Sequence, residues 1–214
     1  MIRNFIFDWS GTLVDDLPPV IEATNAVLTH YGKPAMDRPT FLRAFSLPFR
    51  HFYERVLPEA PFDELDIIFR RTFEASVLPA AILPHAKDFL EFCHGRGCRM
   101  FVLSSALEKQ LREQGRAAGI LDYFEKIYAG IHDKRDKIGE ILHTNGLRPE
   151  ETAFVGDMEH DIATAHSAGI VSVAVLTGYH SREKLAAASP DITAGDLQLL
   201  RRMMTELEFD PRPA

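Results

Sequence analysis

The sequence is short of cysteine, of basic residues and of long apolar runs, and each shortage excludes a class of protein. Two cysteines in 214 residues are too few for the disulfide framework of a small secreted domain. No run approaches the roughly 20 apolar residues of a membrane-spanning helix, and the first residues lack the apolar core of a signal peptide. Lysine and arginine number 24 against 31 acidic residues, so a nucleic acid or a membrane is not the expected partner. We therefore expect a protein of the reducing cytoplasm, with small-molecule chemistry open to it.

Residues 17–83 show helical patterns and no strand pattern. Apolar residues recur at helical spacing in four stretches, which are "PPVIEATNAVLTHYG", "RPTFLRAF", "FRHFYERVL" and "FDELDIIFRRTFEASVL". Pro48, Pro58 and Pro61 interrupt the pattern between them. This segment is predicted to be a small helical bundle.

From Pro84 onward, helical patterns alternate with short β-rich runs. The runs are continuously apolar, which is typical of strands buried on both faces of a parallel sheet; they are "CRMFVLSS", "KIYAG", "TAFVGD" and "IVSVAVLTG". Residues 2–16 supply a further strand of the same type. The fold prediction is therefore α/β, with a doubly wound, Rossmann-like parallel sheet formed by residues 1–16 and 84–214. The helical domain of residues 17–83 is inserted into it.

Polar residues follow four of the predicted strands. In doubly wound sheets the ligand binds beyond the carboxyl ends of the strands. Asp8, Ser104 and Asp157 each stand at the end of an apolar run, Ser105 follows Ser104, and Lys134 comes soon after "KIYAG". We expect these strand ends to bring two carboxylates, two hydroxyls and an ammonium together.

The acidic residues in this set indicate a divalent metal site. Neighbouring carboxylates repel each other, and Mg2+ is the hard cation that is commonly held by one or two carboxylates together with a substrate phosphate. Asp157 and Asp161 are four residues apart, which predicts that both lie on one side of the first turn of a helix. Asp161 would then support the metal directly or through a water. The predicted metal site contains Asp8, Asp157 and Asp161.

The other polar groups suit a phosphate. Lys134, the Ser104 hydroxyl and the Ser105 amide would bind its anionic oxygens. Asp8, held in line with a phosphoryl group, is a competent nucleophile through an aspartyl phosphate. Lys137 is the alternative to Lys134, and either lysine has a surface position as its structural alternative. Ser104 and Ser105 are also candidate N-caps for the following helix.

Four motifs resemble those of the haloacid dehalogenase-like hydrolase superfamily, and they occur in that family's order. They are "DWSGT" starting at Asp8, "FVLSS", Lys134 within "HDKRDK", and "VGDMEHD". The chain resembles the helical-cap subfamily, whose members are phosphoglycolate phosphatase-like or beta-phosphoglucomutase-like. The resemblance implies Asp8 as nucleophile and the Ser10 carbonyl as a Mg2+ ligand beside Asp8 and Asp157. It also implies a small phosphorylated metabolite as substrate, and a cap at residues 17–83 that opens and closes. A monomer or a homodimer is expected.

Ser10 departs from the pattern of the family. Phosphatases of this family usually carry a second aspartate here, which protonates the leaving oxygen and then activates water. A serine hydroxyl is not acidic near neutral pH, and losing general acid–base catalysis typically costs about 10²- to 10⁴-fold in rate. The backbone carbonyl of Ser10 is unaffected, so metal binding is expected to survive.

Two branches of the family that tolerate another residue at this position are disfavoured. Dehalogenases dispense with Mg2+, whereas this chain keeps Asp157 and Asp161. Phosphonoacetaldehyde hydrolases need a cap lysine that forms an imine with the substrate. The inserted segment has only Lys33, and the expected neighbourhood offers Arg50 and His51, of which the arginine does not readily form an imine.

The favoured function is a phosphoryl hydrolase of reduced or altered activity, and the alternative is a non-catalytic module that binds phosphate and Mg2+. His51 or Tyr53 of the cap would serve as a substitute acid, and His51 is preferred because histidine is the residue type that ordinarily exchanges a proton near neutral pH. Arg50 is either a helix-surface residue or a ligand for a substrate anion. His160 is expected to face solvent.

Overall fold

The computed structural model describes residues 2–206. The chain divides into two compact units, of which one contains Met1–Asp15 and Ala81–Ala214 and the other contains Asp16–Ala80. The first is the core unit and the second is the helical unit. No helix among the described residues is long and apolar enough to cross a membrane.

The core unit is built on a six-stranded parallel sheet and also contains a two-stranded antiparallel pair. In chain order the strands are β1 (Asn4–Phe7), β2 (Val14–Asp15), β3 (Ala81–Ile82), β4 (Arg99–Leu103), β5 (Lys126–Tyr128), β6 (Thr152–Gly156), β7 (Val171–Val175) and β8 (Ile192–Ala194). The large sheet has the order β5-β4-β1-β6-β7-β8, and β2 pairs with β3. The predicted parallel α/β sheet is confirmed, with β1 near its centre.

Burial explains why the continuous apolar runs became strands of this sheet. Every residue of β1, β6 and β7 is buried. Phe7 at the end of β1 stands in register with Val102 of β4 and Val155 of β6. The residues that follow these three strands therefore emerge at one edge of the sheet, as a doubly wound fold requires.

Ten α-helices lie in the described residues. Those of the helical unit are α1 (Leu17–His30), α2 (Arg38–Ala44), α3 (Phe49–Val56) and α4 (Phe62–Ala75), and those of the core unit are α5 (Ala86–Gly95), α6 (Glu108–Ala118), α7 (Arg135–Asn145), α8 (Glu159–Ser167), α9 (Arg182–Ala187) and α10 (Leu197–Glu206). The structure confirms each helix that the apolar spacing predicted. Within the helical unit, Phe41 stacks on Phe45 with 4.8 Å between ring centroids and meets Phe52 edge-on at 6.2 Å.

Four short elements are not evident from the sequence. β8 has three residues, and Thr193 at its centre is exposed, so it lacks a continuous apolar run. β2 and β3 have two residues each and α9 has six, which is too short for a periodic pattern to show.

Trp9, which follows the end of β1, packs closely against α6. Its indole is fully buried, and its Nε1 donates a hydrogen bond to Oε1 of Gln114 at 2.7 Å. Gly115 permits the contact: a Cβ atom there would lie 2.2 Å from Cδ2 of Leu121 and 3.1 Å from ring atom Cη2 of Trp9. The turn that carries Asp8 is thus braced from the side by a helix.

Gly115→Ala is expected to destabilise the protein by about 1–3 kcal/mol, because an added methyl overpacks the contact with Trp9 and Leu121. Gly139→Ala is the matched control. Gly139 also lies in a helix, but a Cβ there would meet nothing within 4 Å, so the better helix propensity of alanine should stabilise the protein by up to about 1 kcal/mol. Urea unfolding of both variants tests this, and equal effects on the free energy of unfolding would contradict it.

Candidate active site

The end of β1 places Asp8 and then reverses the chain. The Asp8 amide donates to the Val155 carbonyl at 2.9 Å, so the strand ladder continues through the carboxylate-bearing residue. The next carbonyl, that of Trp9, accepts from the amide of Val14 at 3.0 Å. Gly11 adopts a φ of 76° within this turn, a left-handed conformation that favours glycine. Ser10 lies half-buried in the same turn.

Three carboxylates meet at this edge of the sheet. Asp8, Asp157 and Asp161 are buried, and each offers an oxygen that lies within 4.8 Å of those of the other two. The Lys134 ammonium lies among them, 2.8 Å from Oδ1 of Asp8 and 2.6 Å from Oδ1 of Asp161, and it is fully buried. The structure therefore brings together three of the residues predicted from the strand ends, Asp8, Asp157 and Lys134, and Asp161, which was predicted from its spacing to Asp157.

Asp157 is held by two hydrogen bonds and by two glycines. The Thr12 hydroxyl donates to its Oδ1 at 2.8 Å, and the Tyr179 amide donates to its Oδ2 at 2.7 Å. A Cβ on Gly11 would lie 2.4 Å from that same Oδ2, and a Cβ on Gly178 would lie 2.0 Å from it. Sequence reasoning missed Thr12, Gly178 and Tyr179; the signal for the last two was a Gly-Tyr step just after a predicted strand.

Asp161 reaches the cluster from a helix, whereas Asp157 does not. Asp157 precedes Met158, the N-cap of α8, so the prediction that both carboxylates lie on the first helical turn is wrong for Asp157. Asp161 is the third residue of α8, and its Oδ2 accepts from the Met158 amide at 3.0 Å. Its other oxygen remains directed to Lys134. One carboxylate thus both caps the helix and neutralises the buried ammonium.

The two candidate lysines have different surroundings. Lys134 is the N-cap of α7 and points into the carboxylate cluster. Lys137, one turn later, pairs with Glu140 at 2.5 Å on the helix surface. Only Lys134 is brought to Asp8.

His160 is buried, so the expectation that it faces solvent is wrong. Its Nε2 accepts from the Lys134 amide at 3.3 Å. Burial, together with the nearby Lys134 charge, lowers the pKa of His160 to about 4, so the ring is neutral at physiological pH and able to accept that bond. His160 therefore links the loop that carries Lys134 to the first turn of α8.

The two serines after β4 differ in their contacts. Ser104 is buried, and its amide donates to the Tyr128 carbonyl at 2.9 Å. The Ser104 hydroxyl accepts from the Ala106 amide at 3.2 Å. The Ser105 Oγ is buried and has no hydrogen-bond partner among the described residues. Because Leu107 is the N-cap of α6, neither serine caps that helix.

The charges of the cluster do not balance. Three carboxylates and one ammonium leave two negative charges uncompensated when all four groups are ionised. Burial raises the pKa of Asp8 even though Lys134 opposes the shift, and burial with the Asp8 and Asp161 charges raises the pKa of Asp157 well above its ordinary value. Burial alone would lower the pKa of Lys134, but Asp161 and Asp8 outweigh it and raise that pKa, so the ammonium stays charged. A buried set of oxygen donors with excess negative charge fits a hard divalent cation.

The remaining predicted residues belong to the helical unit. The Arg50 guanidinium carbon lies 3.8 Å from the centroid of the Phe62 ring, which is a cation–π contact. His51 is exposed, and its carbonyl accepts from Nη1 of Arg55 at 3.1 Å. Tyr53 is buried, and burial raises its pKa, which makes its phenol a poor proton donor near neutral pH.

Comparison with known proteins identifies the family. A model of the haloacid dehalogenase-like hydrolase family matches residues 5–175, and the chain belongs to that family. It is 28% identical to a phosphoglycolate phosphatase from Synechococcus elongatus, over 89% of this chain and 91% of that protein. It is also 28% identical to the probable phosphatase IndB of Dickeya dadantii, over 87% and 86% of the two chains.

Solved structures share the fold. A haloacid dehalogenase-like hydrolase from Streptococcus pneumoniae superposes with a TM-score of 0.84 at 23% identity, covering 95% of this chain and 98% of that one. A predicted phosphatase from Clostridium acetobutylicum superposes with a TM-score of 0.86 at 17% identity, over 96% and 99%. The family match and the phosphatase relatives together make this chain a hydrolase of the phosphatase type.

Asp157→Asn is expected to stabilise the metal-free protein at alkaline pH. The raised pKa means that folded Asp157 holds its proton more tightly than the unfolded chain does, so wild-type stability falls as pH rises from the ordinary aspartate pKa through the raised one. The asparagine keeps the shape but not the charge, so its pH dependence should be flatter. Thermal unfolding in EDTA at mildly acidic and at alkaline pH measures this.

The same experiment with added Mg2+ tests the metal. Mg2+ should raise the unfolding temperature of the wild type and have a much smaller effect on Asp157→Asn. Asp136→Asn, on the exposed face of α7, is the control and should behave as wild type. A wild-type stability that rises with pH in EDTA, or no stabilisation by Mg2+, would contradict the account of the cluster.

Proposed function

We propose that the protein is a Mg2+-dependent phosphoryl hydrolase that cleaves a small phosphorylated metabolite through an aspartyl phosphate on Asp8. The observation that carries the proposal is the buried Asp8 carboxylate, held 2.8 Å from the Lys134 ammonium at the end of the central strand, with Asp157 and Asp161 beside it. The names of the relatives, which include phosphoglycolate phosphatase, a pyrophosphatase and a 5'-nucleotidase, support small phosphorylated substrates.

The proposed metal ligands are Asp8, Asp157 and the carbonyl of Ser10, with Asp161 in support. The excess negative charge of the carboxylates fits Mg2+, and the hydrogen bonds from Thr12 and Tyr179 hold Asp157 in place. When bound, Mg2+ would supply positive charge against which the phosphoryl oxygens are stabilised.

Asp8 and Lys134 have different proposed roles toward the phosphoryl group. The ionised Asp8 carboxylate would attack phosphorus while the bond from phosphorus to the leaving oxygen breaks, and water would later release phosphate from Asp8. The Lys134 ammonium, which stays charged in the buried cluster, would stabilise charge on the transferring group. The Ser104 hydroxyl and the Ser105 amide would bind the phosphate oxygens.

Ser10 sets the expected rate. Its hydroxyl is too weakly acidic to protonate the leaving group near neutral pH, so that proton must come from another group. His51 of the helical unit is the proposed substitute, and Arg50 is the proposed ligand for a second anionic group of the substrate. Residues 17–83 are accordingly proposed as the domain that selects the substrate, and residues 1–16 with 84–214 as the catalytic domain, in a monomer or homodimer of the cytoplasm.

Asp8→Asn is expected to lower kcat for hydrolysis of p-nitrophenyl phosphate by about 10³-fold or more, because an amide cannot replace the nucleophile. Lys134→Gln should be nearly as damaging, whereas Lys137→Gln, on the helix surface, should retain wild-type kcat/KM. The measurement is turnover of p-nitrophenyl phosphate and a metabolite panel with Mg2+ and with EDTA. Activity that persists in EDTA would contradict the role of the metal. Activity that persists in Asp8→Asn would contradict the role of Asp8 as nucleophile.

Ser10→Asp is expected to raise kcat by about 10²- to 10⁴-fold, because it restores an acid and base beside the nucleophile. Ser10→Ala is the control and should keep the wild-type rate, since it leaves the backbone carbonyl in place. A fall in Ser10→Asp would assign the serine to a different chemistry. Tight uptake of Mg2+ with beryllium fluoride, with no turnover of any panel member, would instead establish the non-catalytic phosphate-binding module.

A further inference from the structure

The only two cysteines of the sequence lie on either side of one helix end. α5 ends in a Schellman motif, in which the Gly97 amide donates to the His94 carbonyl at 2.9 Å and the Cys98 amide donates to the Cys93 carbonyl at 3.0 Å. Gly97 supplies the left-handed residue that the motif requires, with a φ of 70°. The backbone therefore folds Cys98 back onto the last turn of α5.

This motif characteristically brings the first and last of its six residues into side-chain contact, and here both are cysteines. The other cysteine is the largest influence on the pKa of each thiol, so the two side chains are neighbours. Cys93 is fully buried, whereas Cys98 is half-buried. The Cys98 thiol is thus the one accessible to a reagent, and the Cys93 thiol is its buried neighbour.

We propose that Cys93 and Cys98 form a reversible intrachain disulfide, with Cys98 as the thiol that reacts with a hydroperoxide and Cys93 as the resolving thiol. Such a bond would join the end of α5 to the residue that precedes β4. In a reducing compartment, disulfides of this kind are usually transient and respond to oxidants.

The surroundings favour Cys98 as the reactive thiol. The hydrogen bond donated by the Cys93 thiol, aided by the nearby Arg96 charge, lowers the pKa of Cys98 to about 7 against the effect of its burial. The same hydrogen bond and burial raise the pKa of Cys93. Thiolate character and exposure both increase susceptibility to oxidation, and Cys98 has both.

The reaction balances with a hydroperoxide as the oxidant. The Cys98 thiolate attacks the terminal peroxide oxygen, the O–O bond breaks, and the departing oxygen takes up a proton and leaves as water from hydrogen peroxide or as an alcohol from an organic hydroperoxide, which gives a sulfenic acid on Cys98. The Cys93 sulfur then attacks the Cys98 sulfur, the S–O bond breaks, and the hydroxide takes the Cys93 proton and leaves as water. Two thiols have been oxidised by two electrons and the peroxide reduced by two.

The disulfide site is separate from the candidate active site. Cys98 precedes the first residue of β4, whereas Ser104 follows the last, so the two lie at opposite ends of one strand. The cysteine pair takes no part in the proposed phosphoryl transfer, and Cys98→Ser should retain basal phosphatase activity. Failure of either proposal would therefore leave the other standing.

The test is treatment of the purified full-length chain with hydrogen peroxide, followed by intact mass, thiol titration and tryptic mapping without reductant. The wild type should lose both thiols and two hydrogen atoms of mass, and dithiothreitol should restore them. Trypsin cuts after Arg96, between the cysteines, so the peptides "DFLEFCHGR" and "GCR" should remain joined until reduction.

Matched variants separate the two roles. Cys93→Ala should stop oxidation at oxygen adducts of Cys98, and should slow iodoacetamide alkylation of Cys98 at neutral pH by about tenfold, because the donated hydrogen bond is gone. Cys98→Ser should leave Cys93 unreactive in the folded protein. Oxygen adducts without a joined peptide in the wild type, or disulfides formed only between two chains, would overturn the proposal.

Discussion

The candidate site depends on the two ion pairs of the Lys134 ammonium. The ammonium is fully buried and lies within 2.8 Å of Asp8 and 2.6 Å of Asp161, so it joins the end of β1 to the first turn of α8. Removing one partner from a buried ion pair leaves an uncompensated charge, which is far more costly than the pair itself is stabilising. The end of β1, the start of α7 and the first turn of α8, which carry these groups, are therefore expected to assemble as one unit.

Uncharged groups keep this arrangement from relaxing. Gly11 and Gly178 let two stretches of backbone approach Asp157 so closely that no larger residue fits, and Thr12 and Tyr179 satisfy its oxygens. The neutral His160 ring ties the backbone of Lys134 to α8. When all four groups are ionised, the two excess negative charges in these rigid surroundings form a site whose electrostatic repulsion a divalent cation would relieve.

The sequence predicted the sheet and the strand ends because both rest on strong local signals. Continuous apolar runs mark buried parallel strands, and the polar residue that closes each run falls at the ligand edge, as Asp8, Ser104 and Asp157 do. The contacts of Gly178 and Tyr179 with Asp157 involve backbone atoms, and a Gly-Tyr step after a strand is a much weaker signal, so their roles were missed. His160 was misplaced because its burial depends on Lys134, which is 26 residues away in the chain. β8 was missed because three residues with an exposed centre do not form a pattern.

Ser10 separates two properties that an aspartate would combine at this position. A backbone carbonyl is available to a metal whatever the side chain, whereas proton transfer needs a carboxyl group. A further aspartate two residues from Asp8 would add negative charge next to a cluster in which carboxylates already outnumber the ammonium. Under the proposed mechanism, serine would favour the metal-free fold at the expense of turnover, and activity and stability should respond to this residue in opposite directions. Under the proposed mechanism, the residue that would lower turnover is also one that would make the buried charges easier to hold.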